Sequence, residues 1–523
     1  MFSFIKYKNR FIRNILKGSN SIIKDQKFSF EKIRSQLIQI NLNNDKYLKF
    51  FFLQRYNVDI EKIIKQKLLR QFSWTNGLLN LFLLHSFGNK SNLKFPLPLN
   101  WIQVFQNNKI KISRLPCIIS FYFFLIYCLS KSVFKNLIFI LKNFIFLITF
   151  SYFFFKKIDT HFVNFPTKAV PSHNNQKDNL FFWSIKHFNL FDKKISFSKI
   201  NFINSINYTN IFQRRDVGYI SNFFLLFKFI YLFIIELILA ISNLLIGKWQ
   251  RSYLFNDLME ANVIACSTRS LANKYIFNQG DLFFRPVWTY EIQRKNIDFQ
   301  LIFYSAGTLD YSLQKHLNKD VFTLITWDNY VFMNDFQSEF HNSLNNKIKY
   351  KVVGYIPFIS SNRELIKKYD ITIFDVTPHS NLYNALTLVS DDLFTQKNCI
   401  NFLKDLESVI FNNNISIVLK LKRVGKYHSR LYVKELTRLS KYKNLDIVKD
   451  DYSVEKLIEK SKNIISFPFG TPAIVAKLFE KNSIFYHPGI PIVDLDNRIN
   501  QNVPIIWGKK NLKLWFNNLS NNK

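Results

Sequence analysis

From Asp370 to Tyr486, short apolar runs alternate with longer stretches in which apolar positions recur every three or four residues. The first pattern reads as buried strands and the second as amphipathic helices. Asp370 to Asp375, Ile415 to Arg423, Leu445 to Lys449, Asn463 to Ser466 and Ser483 to Tyr486 read as strands. Ile400 to Asn412, Ser429 to Tyr442, Ser453 to Lys460 and Pro472 to Lys481 read as helices. Strands alternating with helices of this length make a parallel sheet covered on both faces, linked by right-handed crossovers. Residues 250–365 repeat the α/β character less distinctly. Residues 1–115 are polar and mostly helical, with helical periodicity in Ile33 to Ile40 and Ile60 to Leu69 and a break at Pro96 and Pro98.

Residues 116–249 interrupt this rhythm. Cys117 to Phe155 is very apolar but holds Lys131, Lys135 and Lys142, and Tyr219 to Ile246 is apolar with Lys228 and Glu236. Both blocks reach the ~20 residues a bilayer span needs. A charge near the bilayer centre costs about 2.5–3.5 kcal/mol or more. Two simple spans would also put the basic connection, residues 156–218, on the side opposite the C-terminal domain, whereas basic loops prefer the cytoplasm. In-plane amphipathic helices or a re-entrant hairpin on the cytosolic leaflet meet both objections. Core helices of a soluble domain are the alternative.

Charge narrows the partners. The net charge of +36 favours anionic lipid headgroups or phosphorylated substrates. No zinc-finger, RNP-like or basic-zipper pattern accompanies it, so nucleic acid is not expected as a partner. Cys117, Cys128, Cys266 and Cys399 are far apart, which excludes a CxxC zinc site or a disulfide framework.

Three loops fall at the carboxyl ends of predicted strands, on the rim where α/β sheets bind ligands. The first offers Thr377 and His379. The second, at the end of a strand carrying Lys420, offers Lys422, Arg423 and His428. The third runs from Ser466 through Gly470 and Thr471. Thr471 suits an N-cap and Pro472 the first helical position, so a helix N-terminus faces the rim and forms an anion site. Gly470 would let the backbone approach a ligand. This rim suits the diphosphate of a nucleotide, with cations and a helix dipole neutralising the departing phosphate. No cofactor or metal is expected. Asp494 and Asp496 have the spacing of a metal pair but read as a surface loop.

The segment Ser466-Phe467-Pro468-Phe469-Gly470-Thr471-Pro472-Ala473 resembles the signature of the bacterial polysaccharide-biosynthesis PFTS motif proteins. Trp288-Thr289 with Glu291, Trp327-Asp328-Asn329-Tyr330, Phe374 to Pro378 and Lys420 to Arg423 extend the likeness over about residues 280–480. Leu97 to Trp101 is similar more weakly. The resemblance implies a GT-B-like pair of Rossmann-type domains facing a cleft, with a helical, apolar N-terminal and middle region. The boundaries would be 1–115, 116–249, 250–365 (acceptor side) and 366–523 (nucleotide-sugar side). It implies a glycosyltransferase of surface polysaccharide biosynthesis on the cytoplasmic side of the inner membrane. Its partners would be a nucleotide-sugar donor, a glycan or polyprenol-linked acceptor, and an anionic membrane surface. The alternative is a non-catalytic binding or assembly protein of that fold. Two departures stand out: Pro-Phe-Gly-Thr replaces Pro-Phe-Thr-Ser, and Ala473 to Ala476 carries no acid for a ribose. A transferase that inverts needs a base for the acceptor hydroxyl. Glu291, after the strand-like run Phe283 to Tyr290, and Asp328 are the leading candidates, with Asp310 and His316 behind them.

Overall fold

The computed structural model describes residues 30–42, 58–74, 79–80, 82–83, 86, 92–149, 159–164, 195–197, 219–267, 271–305, 320–344, 347–355, 368–378, 395–422, 429–448, 452–489, 491 and 497–521. The chain forms two compact units. One comprises Met1–Thr167, Lys186–Ile302 and Lys319–Asn329, and the other Lys168–Ile185, Phe303–Asn318 and Tyr330–Lys523.

The first unit begins with helices α1 (Phe30–Gln39), α2 (Ile60–Leu69) and α3 (Leu99–Asn107), followed by two long apolar helices, α4 (Arg114–Ile148) and α5 (Phe223–Leu245). Asp59 caps α2 through the Lys62 N–H. α4 and α5 run antiparallel. Phe139 meets Phe229 and Phe146 meets Tyr219, while the Tyr122 hydroxyl at the other end donates to the Gly247 carbonyl.

Helix α6 (Gln250–Cys266) packs along the inner face of this pair. Phe233 meets Phe255, and the Ser252 hydroxyl donates to the Ala240 carbonyl. The charge that Glu236 brings into an apolar helix is answered here. Its carboxylate accepts two hydrogen bonds from Arg251, at 3.0 and 2.8 Å, and both side chains are buried. A paired buried carboxylate is tolerable where an isolated one is not. Lys135 likewise reaches Glu260 at 3.3 Å. The outer faces of α4 and α5 are apolar and exposed, with Phe123, Phe134, Leu141, Phe224, Phe227 and Ile238 among them.

The first sheet orders its strands β2-β1-β3-β4-β5-β6, from β1 (Thr160–Val163), β2 (Ile195–Phe197), β3 (Lys274–Asn278), β4 (Asp298–Ile302), β5 (Asn329–Phe332) and β6 (Lys349–Val352). β1 pairs in parallel with both β2 and β3, and β3 with β4. The connection between the apolar helices therefore contributes strands to the same sheet as the chain that follows α6. The described parts of 116–249 belong to the first unit together with the residues on either side. The N-terminal helices join the same unit, because the Gln66 side chain donates to the Leu324 carbonyl and Ser35 to Asp320.

The second sheet lies wholly in the second unit, which begins at Tyr330 rather than near 366 in this part of the chain. Its strands are β7 (Tyr369–Phe374), β8 (Ile417–Lys420), β9 (Leu445–Val448), β10 (Ser461–Ser466), β11 (Asn482–His487) and β12 (Ile505–Trp507). They are parallel throughout, in the order β12-β11-β10-β7-β8-β9. Two parallel α/β sheets, the first interleaved in sequence with the apolar helices, are the GT-B-like pattern.

The second unit contains a buried histidine. His341, on the helix Asp335–Leu344, stacks on Tyr330 and Phe332 at 5.7 and 5.3 Å, and burial pushes its pKa down to about 3. A base depressed in the folded state contributes stability that is full above its ordinary pKa of about 6.5 and is lost as pH falls toward 3. Between pH 7 and pH 5 the loss from this group is about 2 kcal/mol. Urea titrations at the two pH values should show that loss in the wild type and not in His341→Phe. Equal losses in both proteins would refute the assignment.

Candidate functional site

Ser466, Phe374 and Lys420 end β10, β7 and β8 and lie side by side in register. The loops that follow are bonded to one another at the rim. The Phe467 N–H donates to the Phe374 carbonyl and the Asp375 N–H to the Lys420 carbonyl, both at 3.2 Å. The strand ends from which the three rim loops leave thus stand side by side on one edge of one sheet, and residues 379–380 and 423–428 of those loops lie outside the described residues.

Asp375 is the centre of this rim; the sequence placed it within the Phe374 to Pro378 likeness but gave it no role of its own. It is 6% exposed. Its carboxylate accepts from the Lys422 N–H at 2.6 Å and from the Tyr432 hydroxyl at 2.7 Å, and the Thr377 hydroxyl lies 2.8 and 2.6 Å from its two oxygens. Burial pushes the Asp375 carboxyl above the usual aspartate range, and these hydrogen bonds pull against that shift. Tyr432 belongs to the helix Arg430–Leu439, which is capped by Ser429. The Ser429 N–H in turn donates to the Pro378 carbonyl at 3.2 Å. One carboxylate therefore fixes the ends of β7 and β8 and the following helix.

Two rim residues have left-handed backbones, Thr377 at φ 44° and Phe469 at φ 62°. A β-branched residue in that region is strained by about 1–3 kcal/mol. The bond to Asp375 holds Thr377 there.

The turn after β10 differs from its sequence reading. Gly470, not Thr471, is the N-cap of the helix Thr471–Leu478, and no side chain caps it. The glycine is needed for space within the turn. At φ −75° its backbone is ordinary, but a Cβ there would lie 2.5 Å from Ser466 Oγ and 3.2 Å from the Phe467 carbonyl oxygen. The amide cradle is also narrower than the motif implied. The Gly470 N–H donates to Phe467, the Ala473 N–H donates to Gly470, and Pro472 has none.

The predicted donor residues fall into groups. Lys420 is buried at the end of β8 and Lys422 is exposed just beyond it. The hydroxyls of Thr377 and Ser466 are turned inward, to Asp375 and to the Phe467 carbonyl respectively. The Thr471 hydroxyl lies 3.1 Å from that of Ser305, a residue shortly after β4. His379, Arg423 and His428 lie outside the described residues.

The predicted bases are placed differently from the sequence reading. Phe283 to Tyr290 is not a strand. Glu291 sits in the helix Trp288–Arg294, 0% exposed, with its carboxylate clasped by Arg294 Nε at 3.0 and 3.1 Å. Asp328 precedes β5, at the amino edge of its sheet, and accepts from Gln293 at 2.8 Å and Arg285 at 3.4 Å. Arg285 is a further residue the sequence reading missed. It is 1% exposed, lies over the Tyr290 ring at 4.0 Å, and donates to Thr289, Gln293 and the Thr326 carbonyl. The Trp288-Thr289 and Trp327-Asp328 segments thus surround a caged guanidinium.

The family described as "Polysaccharide biosynthesis PFTS motif protein" matches residues 232–516, more than half of the chain. The protein belongs to this family. The match covers the second apolar helix from Leu232 onward, α6, and both sheets from β3 onward. Among curated proteins none matches the chain. Solved structures with a similar chain path include the UDP-GlcNAc 2-epimerase from Neisseria meningitidis bound to UDP-GlcNAc, at 11% identity and TM-score 0.34, covering 70% of this chain and 92% of that one. They also include the glycotransferase of kitacinnamycin, at 10% identity and TM-score 0.31, covering 51% and 73%. A third is Acinetobacter baumannii MurG, at 8% identity and TM-score 0.28, covering 69% and 90%. A shared fold does not fix a reaction.

Proposed function

We propose that this PFTS motif protein is a membrane-associated glycosyltransferase of surface polysaccharide biosynthesis, moving a sugar from a nucleotide-sugar donor to a glycan or polyprenol-linked acceptor. The observation that carries the reading is the rim of the second sheet, where three adjacent strand ends are tied together by Asp375 beside Lys420, Lys422 and a helix N-terminus. Cationic side chains and a helix dipole there would hold the donor phosphates and stabilise charge on the leaving group without a metal ion. Thr377 and Ser466 shape the rim in this reading instead of touching substrate, while Lys420, Lys422, Gly470 and Thr471 face the donor. His379, Arg423 and His428 keep their proposed donor roles from sequence.

The placement of the base candidates favours reassigning them. A base must reach the acceptor oxygen. Glu291 is sealed in an ion pair, and Asp328 stands at the amino edge, whereas α/β sheets bind ligands at their carboxyl ends. We assign both to holding the first sheet together and keep Asp310 and His316, which follow β4 in sequence, as the candidates for proton abstraction. Asp310→Asn or His316→Gln should lower kcat about a hundredfold or more, and Glu291→Gln and Asp328→Asn should lower it less. The reverse ranking would restore the first assignment.

The apolar pair supports attachment in the plane of a cytosolic leaflet. At ~1.5 Å per residue, α4 is about 50 Å long, well beyond a hydrocarbon core of ~30 Å. Lys131 lies exposed at its middle, and the chain beyond each end joins the same unit. In-plane helices let exposed lysines reach headgroups.

Purified protein with vesicles containing anionic lipid, offered a panel of nucleotide-sugars with and without EDTA, tests the whole reading. Turnover that survives EDTA and is lost in Lys420→Met is the expected result. Nucleotide binding without turnover across the panel would favour the non-catalytic alternative, which the inward-turned hydroxyls of Thr377 and Ser466 also suit.

A further inference from the structure

Five uncharged residues of the second unit, Thr471, Ser305, Gln337, Asn334 and Gln501, are joined in one run of hydrogen bonds. The run starts at the turn after β10, where the Thr471 hydroxyl lies 3.1 Å from that of Ser305. The Gln337 side chain donates to the Ser305 carbonyl at 2.8 Å and accepts from the Met333 N–H at 3.0 Å. Asn334 follows β5. Its Oδ1 accepts from the Gln337 N–H at 3.1 Å, and its Nδ2 donates to Gln501 Oε1. Gln501 follows the short helix Asn497–Asn500 and has a left-handed backbone, φ 50°. Ser305, Asn334 and Thr471 are half-buried, while Gln337 and Gln501 lie beneath them at 0% and 4% exposure.

The main chain fixes the direction of these amides. A backbone N–H can only meet an oxygen, so Asn334 turns Oδ1 to Gln337 and Nδ2 to Gln501. Gln501 must then answer with its oxygen. Its Nε2 is buried and has no hydrogen-bond partner among the described residues. Turning that amide over would only set one NH2 group against another. A buried donor without an acceptor is costly, and such a group calls for a reason.

We infer that these five residues are the subsite for the sugar ring of the donor, and that the sugar it takes carries no charge. The inference rests on the transferase reading. Thr471 directly follows the turn assigned above to the donor phosphates. The group beside it is therefore the one bonded to the last phosphate, which in a nucleotide-sugar is the sugar. Hydroxyls and amides offer the mixed donors and acceptors that sugar hydroxyls require. Gln501 Nε2 supplies a donor already aimed and waiting for a sugar oxygen. A carboxylated sugar would find no cation among the five residues, and burying its charge unpaired is unfavourable.

Titration of the full-length protein with nucleotide-sugars, each beside its free nucleotide, tests it. UDP-glucose, UDP-N-acetylglucosamine and GDP-mannose carry neutral sugars, and UDP-glucuronate and CMP-N-acetylneuraminate carry carboxylated ones. A neutral-sugar nucleotide should bind about tenfold tighter than its free nucleotide. Gln501→Glu keeps the oxygen that Asn334 needs and removes the spare donor. Asn334→Asp, at a half-exposed position, keeps the oxygen for the Gln337 N–H and lets the Gln501 amide turn over and satisfy its own nitrogen. Each variant should weaken that nucleotide-sugar about tenfold and leave the free nucleotide unchanged. A run of bonds that only held the fold would leave the ratio of the two affinities as it is. An unaltered ratio in both variants, no probe bound tighter than its free nucleotide, or a carboxylated sugar bound tightest would overturn the assignment. Turnover by the wild type with an unaltered ratio removes the subsite and leaves the transferase. A ratio that falls in both variants without any turnover leaves the subsite and removes the transferase.

Discussion

Replacing Asp375 by alanine should both destabilise the second unit and abolish the nucleotide-sugar turnover proposed above. The substitution strips the acceptor from the Thr377 and Tyr432 hydroxyls and from the Lys422 N–H. The Thr377 and Tyr432 side chains are buried, and a buried donor that loses an acceptor costs about 1–3 kcal/mol. Relief from burying a carboxylate returns part of this, so a net loss of about 3 kcal/mol is the expected value. Thr377 also loses the bond that holds its left-handed backbone, and the loops after β7 and β8 lose their shared anchor. Turnover should therefore fall about a hundredfold or more, consistent with the sensitivity of reactions to small misplacements. Tyr432→Phe removes a single donor while keeping the ring, and should cost only about 1 kcal/mol. Chemical denaturation and steady-state kinetics on both variants check this. Equal, small effects in the two would show that Asp375 is not the anchor.

The second large effect is expected at Gly470, and a second substitution should partly reverse it. An added Cβ would lie 2.5 Å from Ser466 Oγ, closer than real side chains approach, and 3.2 Å from the Phe467 carbonyl oxygen. Gly470→Ala should displace the turn and cut donor affinity about tenfold or more, because overpacking strain typically runs ~1–3 kcal/mol. Ser466→Ala removes the nearer obstacle. The double variant should recover much of the loss, giving a coupling of about 1 kcal/mol or more between touching residues. Nucleotide-sugar titrations on the two single variants and the double variant measure it. Simple additivity would mean that glycine serves ligand approach instead, as the motif alone suggested. The same contact bears on the family signature. A side chain at position 470, as Pro-Phe-Thr-Ser requires, is incompatible with the present placement of Ser466.

The second sheet was legible in the sequence because parallel strands buried on both faces leave continuous apolar runs. Ile417 to Lys420 and Ile464 to Ser466 read directly, and their carboxyl ends lie on one edge. Ser429 and Ser453 stand at the start of helices read from the sequence, and in the structure each caps its helix through its side chain. What escaped notice depended on long-range partners. A carboxylate one residue past a strand looks solvent-facing until Tyr432, far along the chain, is folded against it. Arg285 reads as surface charge unless Tyr290, Phe299 and Trp327 are known to enclose it. The aromatic run before Glu291 imitated a strand, although Pro286 and the following helical turn end it. β1 and β2 are short and lie in a basic stretch without periodicity, so nothing local marks them as part of the first sheet.

The placement of β1 has a consequence for synthesis on the ribosome. It leaves the exit tunnel after α4, but its partner β3 emerges only once α5 and α6 have been translated. The nascent chain must therefore present two greasy helices before the first sheet can close. Non-local pairing of this kind is slow and exposes sticky intermediates. An early lipid surface would shelter the helices during that interval, so a cell-free translation reaction should yield more soluble product with liposomes added from the start than with liposomes added after release.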